Sequence, residues 1–149
     1  MPRITVIGGG NGIAVVLRGL SRRVRDGIAL DLTAIVATAD DGGSSGRLRE
    51  ERGGIPPGDL RNCLLALAED PEAAFARLFA HRYDGAGDLA GHSLGNLILL
   101  ALAEQRGSYL AALRTAGELL QVRGRVLPVS LDALRMEGVA RDGSRISGC

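Results

Sequence analysis

Three short stretches of this sequence combine small, polar and charged residues in ways that suit binding of an anion. Gly8-Gly9-Gly10-Asn11-Gly12 follows the apolar run Arg3 to Ile7. Asp40-Asp41-Gly42-Gly43-Ser44-Ser45 follows a second apolar run, Leu30 to Ala37, and Gly91-His92-Ser93-Leu94-Gly95-Asn96 precedes a third. A phosphate approaches backbone N–H groups closely only where side chains are absent, and a helix begins with unpaired N–H groups and a positive dipole end. Glycines between a strand and a helix therefore have a chemical use, with Asn11 placed either to cap the helix or to contact a ligand. A tight turn without a ligand would use the same residues.

Asp40 and Asp41 could bind a ribose hydroxyl, hold Mg²⁺ beside phosphates, or cap a turn. Ser44 and Ser45 add hydroxyl donors, and Arg47, Arg49 and Arg61 add planar cations, with Asn62 beside Arg61 in a first helical turn. The run Arg47 to Arg52 equally fits a solvated helix turn, and Asp59 fits a helix cap before Leu60. Ser93 is a cap candidate, whereas His92 and Asn96 are candidate ligand contacts. His92 has no His, Cys or Glu at zinc-ligand spacing, and no esterase turn surrounds Ser93, so no nucleophile with its base is assembled in the sequence.

The elements that must position these residues are legible from periodicity. Arg3 to Ile7 and Leu30 to Ala37 read as strands, the first as a buried one. Between them Ile13, Val16, Leu17 and Leu20 mark one helical face, giving a β-α-β unit with a parallel sheet. Helices follow over about 60–69 and from Asp70-Pro71-Glu72 through Phe79. Ser93 to Arg106 reads as a helix buried between layers, and another is capped by Ser108 after Gly107. Arg125 to Ser130 reads as a third strand, with Pro128 marking an edge or a strand end, and the tail around Asp142-Gly143 as a hairpin. The two acids and the glycine turn then share the carboxyl edge of the sheet, where α/β proteins bind ligands.

Composition narrows the function. All 18 basic residues are Arg, which excludes a Walker-type Lys and Schiff-base chemistry on Lys. With 17 acids against them, no global field favours nucleic acid or an anionic membrane, and no apolar stretch approaches the roughly 20 residues of a membrane span. Cys63 and Cys149 fit neither a disulfide framework nor a zinc cluster, and no secretory signal is present, so a reducing cytoplasm is expected. At 149 residues with an aliphatic composition, one domain over 1–149 is expected. Ile13 stands where a dinucleotide fingerprint needs its third glycine, which disfavours a NAD-dependent oxidoreductase.

Taken in order, GGGNG, TAIVATADDGGSSGRLREERGGIPPGDLRNCL, GHSLGNLIL and VRGRVLPVSL resemble the YvcK-like branch of the YvcK/CofD family, up to about Leu131. The resemblance implies a cytoplasmic α/β protein with a Rossmann-like three-layer fold around a parallel sheet. It implies binding of a UDP-sugar such as UDP-N-acetylglucosamine, and regulation of cell shape and cell-wall synthesis during gluconeogenic growth. The CofD branch implies the alternative, a Mg²⁺-dependent transferase of a phospholactyl group, with Asp40 and Asp41 as the metal candidates. Family members are much longer, so this chain corresponds to an N-terminal part with an incomplete sheet. Open edges would then leave homo-oligomerisation as a further expectation, beside a small-molecule nucleotide-sugar partner.

Overall fold

The computed structural model describes residues 1–39, 43–134 and 137–147. Its first three elements are strand β1 (Arg3–Gly8), helix α1 (Gly10–Arg25) and strand β2 (Asp31–Val36). The two strands are parallel, in register from Arg3 opposite Asp31 to Gly8 opposite Val36. Four helices follow: α2 (Gly43–Arg52), α3 (Gly58–Leu67), α4 (Ala74–Ala80) and α5 (Leu94–Arg106). Then α6 (Tyr109–Leu119) leads into strand β3 (Arg125–Pro128), which pairs parallel to β2. The sheet order is β1-β2-β3, so β2 is the central strand. At Gly124, between α6 and β3, a Cβ would lie 2.7 Å from the Leu32 carbonyl oxygen; with φ at +145° only glycine fits this crossing.

Strand alternation decides where the core forms. Leu32, Ala34 and Val36 are buried on one face of β2, with Ile4 and Val6 of β1 and Val126 of β3 beside them. This face packs on Ile13, Ala14 and Leu17 of α1 and on Leu60, Leu64 and Leu67 of α3. The opposite face is open: Ile7 is 72% exposed and Leu127 40%. The expected α/β class with a parallel sheet is present, with α1 and α3 packed on its buried face.

Several local expectations need correction. β1 lies at the rim of the sheet and is exposed on alternate residues, not buried as a continuous apolar run suggests. Val16, assigned to the apolar face of α1, is 51% exposed; Ile13, Ala14 and Leu17 make the contact instead. α4 begins at Ala74 because Asp70 Oδ1 accepts from Glu72 N at 2.9 Å, a local turn that delays the helix. α5 has the expected span, capped by Ser93 and ended by Gly107 at φ +64°. Only Gly95, Asn96, Leu99 and Ala103 are buried along it, since α5 packs on α4 and α6 rather than between layers. β3 stops at Pro128, earlier than Ser130. The tail forms the expected hairpin of β4 (Glu137–Val139) and β5 (Arg145–Ser147), whose turn is held by Ser144 N and Oγ donating to Asp142 Oδ1.

Candidate functional site

The carboxyl edge of the sheet opens into a pocket of about 250 Å³ onto which four helix N-termini converge. α1 contributes Gly10 and Asn11, α2 contributes Gly43, Ser44 and Ser45, α3 contributes Gly58, Asp59, Arg61 and Asn62, and α5 contributes Asn96. Arg82, from the segment between α4 and α5, completes the wall. Each helix start carries partial positive charge from its first-turn N–H groups, so their convergence favours an anion before any side chain is counted.

The glycine turn makes this approach sterically feasible. A Cβ on Gly9 would lie 2.9 Å from the Cβ of Ala37, so β1 and the segment after β2 close here only over bare backbone. The α1 N-cap position, Gly9, offers no side-chain acceptor. Gly10 N donates to Asp59 Oδ2 at 2.5 Å, which ties α1 to α3. Asp59 is therefore not the cap that the sequence suggests: α3 begins at Gly58, and the carboxylate sits inside its first turn, bonded across to α1.

Behind the pocket wall lies a buried polar chain. Ser44 Oγ is 2.8 Å from His92 Nδ1 and accepts from Asn96 Nδ2 at 3.2 Å. Ser45 Oγ accepts from Gly58 N at 3.0 Å. Burial lowers the His92 pKa, and the charge of Arg47 lowers it further, which favours the neutral ring beside Ser44. The segment carrying His92 is clasped by arginines. Arg47 Nη2 donates to Ala90 O at 2.6 Å, and Arg82 Nη1 to Gly91 O at 2.5 Å.

Arg61 is the strongest electrostatic feature. Its side chain is buried, Nη2 donates to Asn62 Oδ1 at 2.7 Å, and Nε and Nη1 find no partner among the described residues. Desolvation, with the nearby charge of Arg82, lowers its pKa to about 10, while Asp59 acts in the opposite direction. The guanidinium stays protonated at neutral pH, and a buried charge with unpaired donors is costly unless a ligand completes it.

Of the residues singled out from sequence, Gly10, Asn11, Gly43, Ser44, Ser45, Arg61, Asn62 and Asn96 meet on this pocket. His92 contacts it through Ser44, whereas Gly8, Gly9 and Gly12 shape the turn without lining it. Asp40, Asp41 and Gly42 lie outside the described residues. Among the described residues no three His, Cys, Asp or Glu side chains are grouped to hold a metal ion. The Arg47–Arg52 run, read as a solvated turn, belongs to α2 and buries Leu48 and Arg49. Sequence reasoning missed Gly58 and Asp59 as pocket residues, because their turn-and-cap pattern masks any longer-range role. It also missed Arg82, which an isolated bridge between Arg82 and Ser93 brings in, and for which no local signal exists. The pairing of Ser44 with His92, across 48 positions, likewise has no sequence signature. A larger cavity of about 440 Å³ between α6 and β3 is lined by Leu64, Leu110, Leu113 and Leu127 and shares no lining residue with this pocket.

No helix among the described residues is long and apolar enough to cross a membrane. The chain is 46% identical to the gluconeogenesis factor of Bacillus subtilis and 45% identical to that of Listeria monocytogenes, in each case over 99% of its own length. It spans 44% of the length of both relatives, and 31% of a Nostoc protein to which it is 48% identical. A crystal structure of a Bacillus halodurans protein superposes with a TM-score of 0.89 at 42% identity, covering 99% of this chain and 46% of that one. The profile described as 2-phospho-L-lactate transferase CofD matches residues 4–149, and the chain belongs to the CofD family.

Proposed function

We propose that this chain binds a nucleotide sugar of the UDP-N-acetylglucosamine type and acts in the cytoplasm as a regulator of cell shape and cell-wall synthesis during gluconeogenic growth. The observation that carries the reading is the convergence of four helix N-termini on a pocket holding the incompletely paired Arg61. At about 250 Å³ the pocket suits a phosphate group and its immediate neighbours, with the rest of the ligand extending from the open side. The name gluconeogenesis factor, carried by relatives near 45% identity, supports the physiological part. Titration calorimetry and a thermal melt with UDP-N-acetylglucosamine test it: binding raises the melting temperature as RT ln(1 + [L]/Kd) requires. A folded sample that shows neither heat nor shift at millimolar ligand overturns it.

A second reading, a CofD-type phospholactyl transferase, is favoured by the name of the matching family profile. The carboxylate lining the described pocket, Asp59, accepts from Gly10 N through Oδ2 and so ties α1 to α3. The metal would rest on Asp40 and Asp41. Turnover of an activated phospho-donor that requires Mg²⁺ and disappears in Asp41→Ala would support this reading over regulation alone; stoichiometric binding without turnover would refute it.

A further inference from the structure

We infer that the groove between α6 and β3 is a self-association surface, in which a second copy of this chain lays its own α6 antiparallel, about a twofold axis. This goes beyond the nucleotide-sugar reading and uses none of the residues that line that pocket.

The groove is a cavity of about 440 Å³ beside β3, floored by the buried side chains of Leu64, Leu113 and Val126. Leu110 and Leu127 rim it and are 38% and 40% exposed. An apolar floor with exposed leucines at its mouth gains free energy when it is covered.

The strand edge decides what kind of element covers it. Val129 N donates to Val36 O, so in this parallel ladder Leu127 and Val129 turn their backbone groups toward β2, while Val126 and Pro128 turn theirs outward. Pro128 has no N–H, which leaves Val126 with the single outward donor of β3. A strand added here would form almost no ladder. A helix needs none and enters the groove through its side chains.

Charge then selects the helix. Arg114 and Glu118 lie four residues apart on the groove side of α6, both exposed, and neither side chain makes a hydrogen bond or ion pair among the described residues. Arg four positions before Glu is the weaker order for a pair within one helix, which leaves both charges available. Positive then negative along one helix is complemented by negative then positive, the order an antiparallel copy presents. With the axis level with Ala116, Arg114 of each copy meets Glu118 of the other, and Leu110 comes level with Val122 across the groove. A Cβ on Gly117 would sit 3.8 Å from Val122 and 3.9 Å from Leu64, ordinary contact distances, so packing within the chain does not require glycine there. Bare backbone at that level lets the two helices approach closely.

The sheet's other open edge suits a second copy less. α1, which packs beside β1, carries Arg18, Arg22 and Arg23 exposed and no acid, so two copies meeting there would set like charges together.

Sedimentation velocity of the 149-residue chain over micromolar to millimolar concentration tests the inference. The 15.5 kDa chain is expected to double in mass as concentration rises, and to go no further. Arg114→Glu and Glu118→Arg each place like charges together at both contacts, and each should raise the dissociation constant about tenfold or more. Mixed in equal amounts, the two variants should associate about as tightly as wild type, because one copy then carries two acids and the other two arginines. The double variant R114E/E118R should recover in the same way. Both positions are exposed, so circular dichroism melts of the variants should match wild type.

A chain that stays monomeric at every concentration overturns the inference and leaves the groove to another partner. A dimer whose dissociation constant ignores both reversals forms through a different face, which overturns it equally. Reversals that weaken association without rescue on mixing would show that Arg114 and Glu118 do not face each other, and would overturn the antiparallel arrangement. Growth in mass beyond the dimer would mean an open, non-twofold contact and would overturn it as well.

Discussion

Gly95→Ala sets two well-understood effects against each other. In a helix an Ala normally gains roughly 0.5–1 kcal/mol over Gly by reducing backbone freedom in the unfolded chain. Here the added methyl would lie 2.3 Å from the Phe79 carbonyl oxygen, 2.8 Å from Arg61 Cδ and 3.0 Å from Phe79 Cδ1. The carbonyl belongs to the backbone of α4 and Phe79 is fully buried, so neither yields easily. Overpacking of this kind costs about 1–3 kcal/mol. The clash should win by about 1–2 kcal/mol, which for a domain of this size lowers the melting temperature by about 2–8 °C. Gly19→Ala is the matched control: it lies within α1 with nothing inside 4 Å of a built Cβ, so the propensity gain should appear alone. Circular dichroism melts and urea titrations of the three proteins decide the matter. If Gly95→Ala is stabilised as much as Gly19→Ala, α5 can retreat from Arg61 at no cost, and the account of how the pocket holds its guanidinium is wrong.

Burial, and next the charge of Asp59, push the Cys63 thiol up to about 12, so iodoacetamide at pH 8 should label Cys63 only after unfolding; peptide mass spectrometry showing native labelling at the rate of a free peptide would contradict this. His92 has a folded pKa below its unfolded value of about 6.5, so its contribution is present above that value and is lost as pH falls through the folded pKa. The urea midpoint should therefore decline below pH 6.5, and His92→Gln should flatten the decline; an unchanged slope would show that other groups cause it. Asp59→Asn keeps an acceptor for Gly10 N but removes its charge, and is expected to destabilise by about 1 kcal/mol in equilibrium denaturation. A neutral result would mean that the charge adds nothing to the tie between α1 and α3.

Much of the frame was legible because local signals agreed with the packing. The run RITVI, the apolar spacing of Ile13 and Leu17, and the Gly107-Ser108 boundary each produced the expected element. Where reading failed, tertiary contacts outweighed local pattern. GSSGRLREER has little apolar character, yet becomes α2 because Ser44 bonds His92 and Ser45 accepts from Gly58, both distant in sequence. Asp59 looks like a cap, and only the folded chain shows its carboxylate crossing to Gly10. Val16 fits the helical period but misses the core, since α1 turns Ile13, Ala14 and Leu17 toward α3 and the sheet. For the pocket, glycines and serines revealed the floor, while Arg82 arrived through a bridge that no spacing rule anticipates.

The bonds that close the pocket join residues far apart along the chain: Gly10 with Asp59 across 49 positions, and Ser44 with Asn96 across 52. By contrast β1, α1 and β2 form a local unit within the first 36 residues. Loop-closure entropy must be met before distant contacts contribute, so the β-α-β unit can nucleate early and the pocket matures late. On the ribosome, a nascent chain that has not yet exposed Asn96 possesses the glycine turn but no cavity behind it. A ligand that bridges these elements would therefore act on the last step of folding, and its presence should show most clearly as slowed amide exchange in the first turns of α2 and α5, while the centre of β2 changes least.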